Sequence, residues 1–204
     1  MEDNQYDHID DYLQIEIYEP KDLNRPNEPK IKGLIADFAI LWNLYEKALY
    51  KKEHRLRYIK KVIKENHLSE INDIDYLYSR FKEYIQNKYG QFDKSIIANR
   101  FNIRVKEEIL NDNRIEEKFW DITNYDLDRM IRGISEFDRI YCLLIIVAKV
   151  RNNMFHGIKD ITELPKQKEL FKICNATLIS ILINVGIIEE NNYGRTIKIY
   201  RIEQ

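Results

Sequence analysis

Arg151, Asn152, Asn153 and His156 fall together in the stretch KVRNNMFHGIK, Lys149 to Lys159. A histidine gives up or takes a proton near neutral pH, an arginine guanidinium is permanently cationic, and an amide can fix a neighbouring ring in one orientation. Asn152 and His156 stand four residues apart and share a helix face. Arg151 and His156 are offset by roughly 140° around a helix, a gap that the long arginine side chain can bridge. The set suits acid–base chemistry at a phosphodiester, with His156 moving the proton, Arg151 holding a phosphoryl oxygen and Asn152 orienting the imidazole. On RNA the ribose 2′-OH supplies the nucleophile. Such a reaction needs no metal, no cofactor and no nucleophile from the protein.

The same residues have a plainer reading. A histidine in the last turn of a helix, followed by glycine, is favoured by the helix dipole and by C-capping. Spacing alone does not choose between the two.

The element that must carry this stretch is well marked. Ser135 followed by Asp138 resembles a capping box, with aspartate in the glutamate position. Ile140, Leu143, Leu144, Val147, Val150 and Met154 then recur at helical spacing, and Gly157 is placed to end the helix. Further helices are predicted over Lys32 to Tyr50, from a Ser69 cap to Gly90, over Asp93 to Leu110, over Arg114 to Ile122, and from Pro165 to Val185. The first of these has Leu34, Phe38, Leu41, Trp42, Tyr45 and Leu49 on one face. Strand-like alternation is confined to the ends, in Leu13 to Ile17 and in Ile197 to Ile199. The expected layout is a strand and proline-bearing connector over 1–30, a helical domain over 31–185 and a β-like tail over 186–204. The fold class is mainly α, with a small terminal β element.

Composition narrows the partners. In 204 residues the formal net charge is −1, so the average field does not draw in a polyanion, and a histone-like coating role is excluded. Lys52, Arg55 and Lys60 lie in a basic run that could touch RNA phosphates, although Glu53 and Glu65 intervene and a solvated helix face is the competing reading. The 14 tyrosines mostly accompany apolar stripes and are expected to pack. The four histidines are scattered, which argues against a metal site. Cys142 and Cys174 sit in apolar patterns and read as buried thiols of a reducing compartment. With an acidic, polar start and no apolar run near 20 residues, a cytoplasmic setting away from membranes is expected.

The string YCLLIIVAKVRNNMFHG resembles the signature helix of the HEPN superfamily, in particular the bacterial branches with an RNN-apolar-FHG pattern. Arg151 through His156 match that motif without gaps, over about twenty residues of close likeness. The resemblance implies an antiparallel helical bundle that forms a homodimer, with a composite site built from both copies. It implies a metal-independent endoribonuclease leaving 2′,3′-cyclic phosphate ends, in a toxin or phage-defence role with an antitoxin or activator protein. Arg151, Asn152 and His156 are then the catalytic set, Asn153 a supporting residue, and Met154 and Phe155 packing residues. Members paired with a nucleotidyltransferase often carry a tyrosine two residues after the histidine; Ile158 stands there instead, which argues against that partner. The superfamily also has inactive members, so the alternative is a helical dimer acting as an RNA-binding, nucleotide-binding, immunity or regulatory module.

Overall fold

The computed structural model describes residues 31–50, 56–106, 122–155, 165–191 and 194–197. Among these the chain is mainly helical, with seven α-helices: α1 (Ile31–Leu49), α2 (Ile59–Glu65), α3 (Ile74–Tyr89), α4 (Lys94–Arg100), α5 (Asn124–Arg132), α6 (Glu136–Phe155) and α7 (Lys168–Asn184). Two short strands, β1 (Val105–Lys106) and β2 (Ile122–Thr123), pair in parallel. The strands β3 (Ile188–Asn191) and β4 (Gly194–Ile197) form an antiparallel hairpin.

Two helices form the centre. Every residue of α6 from Ile140 to Val150 is buried, and so is every residue of α7 from Leu170 to Leu182. A helix that buries its whole circumference must be surrounded. Accordingly α1 lies along α7, α3 packs against both central helices, and α2 and α5 cover α6. The surrounding helices are amphipathic: α3 buries Ile74, Leu77, Tyr78, Phe81 and Ile85 and leaves its other face to solvent. Some polar groups inside this core tie helices together. The Asn175 amide donates to the Leu34 carbonyl at 3.0 Å, tying α7 to α1, and the Phe38 and Phe171 rings meet edge to face across the same seam.

Several boundaries depart from the sequence expectation. The expected Ser69 cap is not used: Leu68–Glu70 is a 3₁₀ turn, Ile71 is extended, and α3 starts after Asp73. Its other end is as expected, with Gly90 at φ +84° closing α3 through a bond from its N–H to the Gln86 carbonyl. The helix expected over Asp93 to Leu110 stops at Arg100, because Asn102 turns left-handed at φ +51° and Val105–Lys106 pair with β2. Ile122, expected to close a helix, is in β2 instead. The C-terminal hairpin joins Ile188–Asn191 to Gly194–Ile197, among the residues of the expected β-like tail. The N-terminal strand, the rest of Arg114 to Ile122 and the Gly157 stop lie outside the described residues. Among those described, no helix is long and apolar enough to cross a membrane. Cys142 and Cys174 are free and buried, and burial pushes both thiols above their ordinary range.

Candidate functional site

The motif occupies the one part of α6 beyond Ile140 where side chains regain solvent. Arg151, Asn152, Asn153 and Met154 are each partly exposed, directly after the fully buried run. α6 reaches this point without interruption from a capped start. The Ser135 hydroxyl accepts from the Asp138 N–H at 3.2 Å, and the Asp138 carboxylate accepts from the Ser135 N–H at 3.3 Å. This is the reciprocal cap that the sequence indicated. Two residues before the motif, buried Lys149 donates from Nζ to the Asn102 carbonyl at 2.9 Å, fixing α6 to the turn that ends α4.

Asn152 and Trp42 both adjoin the Arg151 side chain. Its Nη1 donates to Asn152 Oδ1 at 3.3 Å. Its guanidinium carbon lies 5.8 Å from the centroid of the Trp42 ring, and its Nε is buried. That distance is within the range for a cation over an aromatic face. Trp42 belongs to α1, is 2% exposed, and is backed by Tyr45 at 5.4 Å between centroids. Behind it, the Tyr45 and Tyr50 hydroxyls share a hydrogen bond of 3.2 Å. Burial pushes the Tyr50 phenol up to about 12, partly offset by its bond to Tyr45, and burial with the adjacent Tyr50 raises Tyr45 well above its usual value. The layer is thus neutral across the physiological range, a firm aromatic wall next to a cation.

Asn152 was expected to orient His156; its amide oxygen here accepts from Arg151. Asn153 is beside it on the same partly exposed turn. His156 lies outside the described residues, as do Lys52 and Arg55. Lys60 is described and is placed elsewhere. It forms an ion pair with Asp126 of α5 and sits 5.3 Å from the Tyr141 ring centroid. Tyr141 precedes Arg151 by ten residues, roughly 15 Å of helix. Trp42 is the neighbour that sequence reading missed as part of the site: it lies on the apolar stripe of α1, where packing accounts for it, and only the tertiary fold brings it to Arg151.

A cleft of about 320 Å³ lies elsewhere, lined by Arg80, Glu83, Tyr84, Asn87, Lys88 and Glu169. Its charges are engaged internally: Arg80 pairs with Glu169 at 2.6 Å, and Lys88 donates to Tyr84 Oη and to the Lys166 carbonyl. None of the motif residues lines it. Among the described residues no group of three or more His, Cys, Asp or Glu is clustered as metal ligands. Compared with family models, curated proteins and solved structures, the chain matches none.

Proposed function

We propose that the protein is a metal-independent endoribonuclease of HEPN type, cleaving RNA by attack of the 2′-OH to leave 2′,3′-cyclic phosphate and 5′-OH ends. The observation that carries this reading is the placement of Arg151 and Asn152. They stand hydrogen-bonded to each other on the partly exposed last turns of an otherwise buried helix, with the guanidinium against Trp42. In this reading Arg151 binds the non-bridging phosphate oxygens and stabilises the charge that builds on them as phosphorus becomes five-coordinate. Asn152 fixes the guanidinium in its plane. His156, at the end of the same stretch, exchanges the proton with the 2′-OH or with the leaving 5′-oxygen. Asn153 is available for a further phosphate contact.

The bundle is proposed to be the HEPN one and to act as a homodimer. Because α6 is enclosed from Ile140 to Val150, two copies of the motif would approach through the Arg151–Met154 end of that helix. A toxin or defence role, with an antitoxin or activator protein, goes with this reading. The competing reading is a non-catalytic helical dimer that binds RNA or nucleotide. It is favoured by the same aromatic packing of Arg151, which also suits a structural interface.

Purified protein and its His156→Ala variant, incubated with a mixed RNA pool with and without EDTA, separate the two. The proposal predicts EDTA-insensitive cleavage with cyclic-phosphate ends, lost in a folded variant. Equal cutting by both proteins would remove His156 from the site, and cutting by neither would favour the binding module.

A further inference from the structure

We propose that Trp42 is the positioning residue of Arg151: its ring face holds the guanidinium next to Asn152, so that the cation meets a phosphodiester oxygen from a fixed direction. This rests on Arg151 as the anion-binding group of the site proposed above. An arginine side chain has several rotatable bonds, and one left to solvent spends most of its time out of any single geometry. Here a hydrogen bond, a ring face and burial restrict it. The Nη1 bond to Asn152 sets one edge, the ring at 5.8 Å covers the guanidinium carbon, and Nε is enclosed.

The ring itself is enclosed by the core. Trp42 is 2% exposed, is packed on Tyr45, and belongs to a helix bonded to α7 through Asn175 and Leu34. A tryptophan gives the strongest attraction of the aromatic side chains for a cation, because of its electron-rich face. A leucine in its place would preserve apolar burial but offer no such field. Trp42 touches no substrate in this scheme and acts only through Arg151.

The test must weaken the ring's field without opening a cavity, since truncating a buried tryptophan can itself unfold a domain. Fluorinated tryptophans do this. The whole chain is prepared with none, one or three fluorines per indole; its other tryptophan is Trp120, so the same series in Trp42→Phe reports the contribution of Trp120 alone. The readout is hydrogen exchange of the Arg151 Nε–H by nuclear magnetic resonance, the signal being identified by its loss in Arg151→Lys. Positioning by Trp42 predicts exchange that quickens stepwise with fluorination, by about fivefold at three fluorines, and a flat series in Trp42→Phe. Exchange indifferent to fluorination, or an equal response in Trp42→Phe, overturns the inference. RNA cleavage by the same samples is scored separately. A graded exchange series without cleavage would refute the ribonuclease reading and leave the aromatic clamp standing. Cleavage with a flat exchange series would do the reverse.

Discussion

At its N-terminal end α6 begins with Ser135 and Asp138 exchanging hydrogen bonds, Arg129 paired with Asp138 at 2.6 Å, and Arg139 bonded to Asp75 and to the Gly133 carbonyl. Just before it, Gly133 at φ +54° ends α5, and Tyr78 donates from its hydroxyl to the Met130 and Ile131 carbonyls. Every one of these contacts closes a helix end or joins two helices. At the other end Arg151 and Asn152 bond to each other, and Arg151 rests on an aromatic ring. One end uses its polar groups to complete the fold. The other also joins helices, through Lys149 to Asn102 and through Arg151 to Trp42, but leaves Arg151 and Asn152, bonded to each other, on a partly exposed turn, the arrangement on which the ribonuclease reading rests. Substitutions at the two ends should therefore separate stability from activity.

The largest effect is expected at Arg151. On the ribonuclease reading, Arg151→Ala lowers the RNA cleavage rate by about 100-fold or more, while the loss of its packing on Trp42 costs only about 1 kcal/mol, roughly 2–4 °C in melting temperature. Rates and melting curves on the same preparation check this, and a large loss of stability would erase the contrast between the ends. Gly133→Ala should behave in the opposite way. A Cβ there would come within 2.6 Å of three Tyr78 side-chain atoms, and the backbone is left-handed. Strain and overlap together should cost about 2–4 kcal/mol, with activity retained per folded molecule. Urea unfolding measures the loss.

Ser135→Ala removes one partner of the cap and should cost about 1 kcal/mol, or roughly 2–4 °C in melting temperature for a chain of this size. Smallest near neutrality is Tyr50→Phe, within about 1 kcal/mol because one hydrogen bond is lost. Its signature is instead alkaline. Below about pH 10 the phenol is protonated in both folded and unfolded chains. As pH rises from there to the folded value of about 12, only the unfolded chain releases the proton, so Tyr50 makes stability fall with pH across that window. Tyr50→Phe should make this part of the curve less steep in thermal melts between pH 9 and pH 12, leaving the slope due to the other buried phenols and thiols, Tyr45, Tyr78, Tyr84, Cys142 and Cys174.

What could be read from sequence follows how far apart the interacting residues lie. The cap at Ser135 was legible because both partners are within one turn, and the stripe of α1 because helical periodicity is local. The start of α3 was misplaced because neither Ser69 nor Asp73 caps it with its side chain: Ser69 lies in a 3₁₀ turn anchored by buried Leu68, and Ile71 is extended before the helix begins. The early stop of α4 depends on a left-handed Asn102 whose carbonyl is held by Lys149, a contact from another helix. The two-residue pairing of Val105 with Ile122 carries no periodic signal at all. That α6 runs through Arg151 and Asn152 was legible from its periodicity, while the approach of Trp42 to Arg151 was not, because nothing in either helix refers to the other. Lys60 shows the converse: it stands in a basic run, and the fold gives it Asp126 as a partner.

The most direct test of the account uses a short RNA with one cleavable phosphodiester, and the same oligonucleotide with a single 2′-deoxy sugar at that position, given to the parent protein and to Arg151→Ala. The account predicts cleavage only by the parent on the all-ribose strand, with a 2′,3′-cyclic phosphate on the upstream product and no change on adding EDTA. Cleavage of the 2′-deoxy strand at the same bond, or full activity in Arg151→Ala, would contradict it.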